Sequence, residues 1–253
     1  MPTREDPEGT EIKTLLRRVS FAGKEVLEVG CGEGRLTMKY FRRAKWVVAV
    51  DPSQKSIKTA RLDAPKKKKN LEFRVMRAEK LGFADESFDI VFFSWSLCCV
   101  DIPAMGKALD EAWRVLRPTG TLVNLQPSLY QPFRKGEILY LISAQFGTTV
   151  DEERYRQARF ALKYASLIEG KFRLVSENEF GINIYYDTAK EALDDFTVDC
   201  REEYKNLSRA QKTRVKGAIG SLTNKKGVKV VDNVVLTVLT KAEPQAVLAS
   251  PRS

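Results

Sequence analysis

Val26-Leu27-Glu28-Val29-Gly30-Cys31-Gly32-Glu33-Gly34-Arg35 is the stretch whose reading decides the fold. Lys24 to Val29 reads as a buried strand that stops at Gly30. Glycines at 30, 32 and 34 let the backbone turn sharply and come within contact distance of a ligand, because no Cβ intervenes. A dinucleotide fingerprint wants glycine or alanine at the next position, where Arg35 stands, and no Gly-Lys-Ser/Thr follows as a phosphate-cradling P-loop requires. The expected ligand therefore presents no pyrophosphate. Asp51 ends the following strand, 21 residues beyond Gly30, where an acid in such folds faces two ribose hydroxyls. A tight turn alone would explain the glycines; the acid at this spacing favours a nucleoside site.

Outward from this junction, strand-like runs recur at 46–50, 71–76, 88–95 and 120–125, with helical patterns at 35–42, 54–62 and 103–116 between them. Alternating strands and helices predict right-handed crossovers and a doubly wound α/β fold, a mainly parallel sheet covered on both faces. Beyond Gln126 the rhythm changes: helices are expected at 130–146 and 151–168, an extended run at 172–186, a helix at 188–196 and a last strand at 229–239. Thr149 with Glu152, and Thr188 with Glu191, have capping-box spacing. Tyr204, Leu207, Val215, Ala218, Ile219 and Leu222 give 201–222 the apolar face of an amphipathic helix. These readings predict one domain over 1–243, with a helical lid or substrate insertion at about 126–170 and a disordered tail at 244–253.

Composition narrows the chemistry. The 253 residues are 43% hydrophobic and 30% charged, which excludes a wholly disordered chain. No apolar stretch reaches the roughly 18 residues a membrane span needs, and the polar start lacks an export signal, so the expected compartment is the cytoplasm and no membrane partner is expected. Four cysteines, Cys31, Cys98, Cys99 and Cys200, form no C-x-x-C pair. Histidine is absent, which excludes imidazole bases, His-containing triads and His-ligated zinc; no metal is expected. The net charge is +10, and nine basic side chains against two acidic ones crowd residues 201–229, so nucleic acid is a candidate partner.

Four blocks in order resemble the class I S-adenosylmethionine-dependent methyltransferases, and within them the type 11 group. Glu28 to Gly34 looks like the family's first motif, and Val50-Asp51-Pro52-Ser53 like its ribose-binding strand end. Ala78 to Phe83 followed by Asp85 to Asp89 is similar to its adenine-side loop, and Arg114 to Leu122 to the turn into its fifth strand. The resemblance covers about Glu25 to Pro127 by motif. It implies a Rossmann-like sheet of seven strands whose last strand is antiparallel, with S-adenosyl-L-methionine as the cofactor. It further implies that Gly30, Cys31 and Gly32, within the loop closed by Gly34, line the methionine and ribose, and that Glu28 helps hold the amino group. Asp51 would bind the ribose hydroxyls, Pro52 and Ser53 would flank the adenine, and Ala78 and Glu79 would lie at its polar edge. Ser94 and Trp95 would face the sulfonium and the acceptor. Two positions depart from the family: Arg77 stands where an acid is common, and Gly82 where a proline is.

Methyl transfer is an in-line displacement at a carbon activated by a positive sulfur, so alignment is the main requirement. Asp101 is a candidate base, with helix N-capping as its competing role. Cys98 and Cys99 fall near the expected acceptor pocket, where packing is the plainer reading. Tyr130, Phe133, Tyr140, Phe146, Tyr155, Phe160 and Tyr164 serve either a lid or core packing. A small-molecule acceptor is the leading expectation. The alternatives are an RNA or tRNA methyltransferase that uses the basic 201–229 segment together with Lys66 to Lys69, and a cofactor-binding partner subunit without catalysis.

Overall fold

The computed structural model describes residues 4–66, 69–128, 150–199 and 204–242. They fall into two compact units, one from within 1–15, 127–156 and 179–235, the other from within 16–126, 157–178 and 236–253.

The second unit is the α/β sheet. Its strands are β2 (Glu25–Val29), β3 (Trp46–Asp51), β4 (Leu71–Val75), β5 (Phe88–Ser94), β6 (Leu116–Pro127) and parts of β7 (Phe172–Tyr186) and β9 (Gly227–Lys241), in the order β7-β9-β6-β5-β2-β3-β4. Pairings β2–β3, β2–β5, β3–β4 and β5–β6 are all parallel. Val26, Leu27, Val47, Ala49, Val91 and Phe92 are almost wholly buried, as a parallel sheet covered on both faces requires. The helices α2 (Thr37–Tyr40), α3 (Gln54–Asp63) and α4 (Met105–Val115) follow β2, β3 and β5. The last strand is antiparallel: Ser128 N donates to Asn233 O while the Thr240 hydroxyl reaches Thr119 O, so β9 runs against β6. The seven expected strands are present, and β6 starts four residues earlier than its apolar run because it pairs with β5 from Leu116 across an irregularity.

The other unit adds two strands too short to be read from the sequence, β1 (Arg4–Glu5), antiparallel to Tyr185 and Ile184, and β8 (Thr223–Asn224), paired with Val228 and Gly227. Helix α1 (Thr10–Arg18) opens on Asp6, whose two carboxylate oxygens accept from Thr10 N and Glu11 N at 2.8 and 2.9 Å. Helix α5 (Val150–Leu167) matches the second expected lid helix; the expected helix at 130–146, Thr149 of the first capping box, Lys67 and Lys68, Cys200 and the 244–253 tail lie outside the described residues. Helix α6 (Ala189–Asp199) is capped by Thr188, which accepts from Glu191 N, while Glu191 returns a bond to Asp187 N. The basic helix is shorter than its apolar pattern. α7 spans Arg209–Ser221 because Ser208 and Gln211 form a reciprocal capping box that starts a new helix there. Val215 and Ile219 bury against Ile184, Tyr186 and Val230; Arg209, Arg214 and Lys216 are exposed, while Lys212 lies over the Tyr204 ring beside the same cluster.

One polar knot holds the segment 81–85 to the sheet's helical layer. The Arg114 guanidinium donates to both carboxylate oxygens of Glu111, to Leu81 O and Phe83 O at 2.8 Å each, and to Asp85 at 2.7 Å, while Glu111 also accepts from Leu81 N. These bonds, with Arg114 foremost, hold the Glu111 carboxyl below its ordinary value of 4.5 against the effect of burial. A depressed acid stabilises the fold above its ordinary pKa and loses that contribution as pH falls through the lowered value. Glu111→Gln is therefore expected to cost about 1 kcal/mol at neutral pH, and urea unfolding at about pH 7 and pH 3 should show a shallower acid loss than in the parent.

Candidate functional site

The loop after β2 is shaped by three left-handed glycines, with φ of +76° at Gly30, +55° at Gly32 and +83° at Gly34. Gly30 and Cys31 N–H groups donate to Val50 O, which pulls the loop onto the end of β3. A Cβ at Gly30 would lie 2.1 Å from the Cβ of Ser96, whose hydroxyl donates to Val29 O. At Gly32 the space is empty instead: nothing lies within 4 Å of a Cβ built there. Gly34 packs near Phe73 and Met38. The first glycine thus seats the loop on the protein and the second borders open space.

Asp51 clamps the loop from the other strand. Its Oδ2 accepts from Gly32 N at 2.9 Å and its Oδ1 from Ser53 N at 2.8 Å. Each carboxylate oxygen has two lone-pair positions, so both retain capacity for a hydroxyl. Ser53 caps α3 through Ser56 N.

These residues line a cavity of about 580 Å³. Gly30, Cys31, Gly32, Asp51, Pro52, Ala78, Glu79, Ser94, Trp95 and Asp101 are all brought to it. Glu28, Gly34 and Ser53 are not on its wall. Glu28 is 1% exposed beneath the loop, and its Oε2 accepts from the Thr37 hydroxyl at 2.6 Å and the Tyr40 hydroxyl at 2.8 Å. Burial, then the Glu28 carboxylate, pushes Tyr40 well above its ordinary value, so it is a neutral donor.

The wall also includes residues the sequence reading did not single out as ligands: Glu33, Arg35, Leu36, Met76, Ser96 and Val100. Side chains around a strand-end loop arrive from three strands at once, which no linear spacing displays. Arg77, noted as a departure, is there too; it ion-pairs with Glu79, and its Nη2 lies 3.8 Å from Asp101 Oδ2. Burial acts to raise the Glu79 carboxyl, but its own backbone N–H and Arg77 outweigh it and hold the group below its ordinary value.

Trp95, where β5 ends, has φ +56°, a conformation disfavoured for a bulky side chain and typical of sites where strain is held by surrounding structure. Its N–H donates to Leu125 O at 2.7 Å. Asp101 occupies the cap position of the turn 102–104, yet its side chain makes no capping bond there. The cysteine pair divides: Cys99 is exposed on the cavity wall and Cys98 is buried away from it. Burial, followed by the Glu28 and Asp51 carboxylates, pushes the Cys31 thiol far up, which makes it a poor nucleophile. Phe160 and Tyr164 line a separate groove of about 260 Å³ with Ile102 and Met105.

One strand over from Ser94, β6 carries Asn124 and Gln126, only 0% and 2% exposed. Among the described residues neither amide atom of Asn124 nor Oε1 of Gln126 has a hydrogen-bond partner. At spacing i, i+2 they share one face of the strand.

Residues 27–124 match the methyltransferase domain family of type 11. The chain is 32% identical over 134 residues to the ubiquinone/menaquinone biosynthesis C-methyltransferase UbiE of Rickettsia bellii, covering 48% of this chain and 53% of that protein. It is 31% identical over 120 residues to UbiE of Rickettsia massiliae, covering 44% and 48%. The chain thus spans about half the length of these curated relatives. Among solved structures it resembles a SAM-dependent methyltransferase of Methanosarcina mazei, with TM-score 0.54 at 17% identity over 90% of this chain and 96% of that one. The YcgJ protein of Bacillus subtilis gives TM-score 0.56 at 19% identity over 93% and 97%. Fold, glycine loop and matched segment define a Rossmann-like methyltransferase domain. Residues 27–124 of the chain are thus similar to a methyltransferase domain family, and the cofactor this indicates is S-adenosylmethionine.

The two glycines should separate fold from function. Gly30→Ala adds backbone strain and a collision with Ser96, and is expected to cost about 3 kcal/mol or more of stability in urea unfolding. Gly32→Ala meets no neighbour and should cost only about 1–2 kcal/mol, while its methyl projects into the cavity and weakens cofactor binding measured by calorimetry.

Proposed function

We propose that this chain transfers the methyl group of S-adenosylmethionine to a small-molecule acceptor. The observation that carries the reading is a single cavity with the Gly30–Gly32 loop and Asp51 at one part of its wall and Trp95, Cys99 and Asp101 at another. When bound, the cofactor supplies an electrophilic methyl on a positively charged sulfur.

The chain's own residues then divide the work. Asp51, already oriented by Gly32 and Ser53, accepts from the ribose hydroxyls with its remaining lone pairs. The backbone at Gly30, Cys31 and Gly32 borders the methionine and ribose; Glu28 beneath it, Gly34 at its far end and Ser53 beside Asp51 set its shape. Pro52, Ala78 and Glu79 border the adenine, with the ion pair to Arg77 fixing the Glu79 carboxylate. Ser94 and Trp95 stand at the end of β5 facing the reacting centre, where the ring excludes water and restricts the acceptor's approach. Asp101 is the carboxylate placed to take a proton from the acceptor, and its high exposure suits a base in exchange with solvent.

The expected result of calorimetry is micromolar binding of S-adenosylmethionine and its demethylated product, weakened by about 1–3 kcal/mol in Asp51→Ala. Absence of binding by the folded parent protein would overturn the assignment. Methyl transfer to a metabolite panel, run beside transfer to tRNA, tests the acceptor class: labelling of tRNA alone, falling steeply with salt, would replace the small-molecule reading.

A further inference from the structure

A second cavity, of about 450 Å³, lies in the α/β unit away from the cofactor wall. Four cations border it: Arg18 at the end of α1, Lys24 just before β2, Arg117 and Arg173. Arg117 is spoken for. Its Nη2 donates to Glu25 at 2.6 Å and its Nη1 lies 3.1 Å from Asp89 Oδ2, which also accepts from Glu25 N. Hydrogen bonding to Glu25, then to Asp89, raises its pKa despite burial. Arg18, Lys24 and Arg173 are exposed, and among the described residues no carboxylate pairs with any of them.

Three exposed positive charges border one concavity, and an anion seated there is attracted by all of them. The wall supplies more than charge. Thr119 is held at φ +59°, an outlier for a β-branched residue, with its carbonyl oxygen 3.3 Å from the Thr240 hydroxyl. Val175, 61% exposed, gives the cavity an apolar side.

We infer that this cavity binds a phosphorylated ligand, its phosphoryl oxygens held by Arg18, Lys24 and Arg173. Two guanidiniums suit bidentate contact with such a group, and the volume is in the range of small-ligand sites. Lys24 precedes β2 and Gly30 follows it, so five strand residues, about 17 Å, separate the two cavities. The ligand here is therefore neither the methyl donor nor the acceptor. Its phosphate belongs either to a soluble metabolite or to the headgroup of an anionic lipid, and the chemistry of recognition is the same.

The test uses the full chain and a triple variant, Arg18→Gln, Lys24→Gln and Arg173→Gln, whose side chains hold no ion pair among the described residues. Inorganic pyrophosphate is titrated by calorimetry, and co-sedimentation is measured with phosphatidylglycerol-containing vesicles against pure phosphatidylcholine. Expected is pyrophosphate binding that weakens about tenfold or more in the triple variant, with S-adenosylmethionine affinity unchanged. Vesicle binding that pyrophosphate displaces and the triple variant loses assigns the phosphate to a lipid headgroup; pyrophosphate binding without vesicle binding assigns it to a soluble ligand. No binding of either probe by the parent, or equal binding by parent and variant, overturns the site. Because cofactor affinity is read separately, failure here is distinct from failure of the methyltransferase assignment.

Discussion

No atom can be added at Gly30. Its backbone rests on Ser96 at a distance that excludes even a methyl group, while its N–H and that of Cys31 are drawn to Val50 O. The loop is thereby fixed from two sides, by Ser96 just after β5 and by Val50 and Asp51 of β3. Below it the buried Glu28 carboxylate accepts from Thr37 and Tyr40, and Tyr40 in turn stacks on Phe21 and meets Phe92 edge-on. An unpaired carboxylate at that depth would cost several kcal/mol; paired with two hydroxyls it becomes a strut joining β2 to α2. The open space above Gly32 exists because everything around it is held this way.

The same geometry explains what could be read in advance. The strands of the parallel sheet were legible because burial on both faces writes continuous apolar runs, as at Val47 to Val50 and Ile90 to Phe93. Asp51 was legible because it ends the strand that follows the glycine loop in the same βαβ unit, so its partner in space, Gly32, lies a fixed short distance back along the chain. Two-residue strands such as Arg4–Glu5 leave no periodic trace, and their pairing partner is far along the chain. The basic helix was overextended because Tyr204 and Leu207 pack on the same cluster as Val215 and Ile219, continuing an apolar face across a chain break in helix that only the Ser208 and Gln211 bonds mark. The Arg114 knot was hidden in a motif that showed the residue but not its five bonds.

Arg77 shows how a departure from a family pattern is absorbed. A guanidinium in place of an acid would leave a cation beside the Ala78–Glu79 wall of the cavity. Here it is neutralised locally by Glu79 and shares the field of Asp101. The acid that borders the cavity is thereby held ionised and oriented, and the two ends of the cavity wall, 77–79 and 99–101, are drawn together by charge.

The distribution of charge across the α/β unit follows from what each end of its sheet must face. The chain carries +10 overall, yet the cavity at the carboxyl ends of β2, β3 and β5 is bordered by four carboxylates, Glu33, Asp51, Glu79 and Asp101, against Arg35 and Arg77. A sulfonium is attracted to such a wall, and its product, which has lost the charge, is attracted less, so carboxylates there favour release after transfer as well as capture before it. The cavity beside the start of β2 and β5 is bordered by Arg18, Lys24, Arg117 and Arg173, with Asp89 the one carboxylate among its described lining residues. Parallel strands alone impose this polarity of use. All carboxyl ends lie at one edge, so the loops that follow them converge on one ligand, and the residues that precede them are left to build a second, chemically opposite surface.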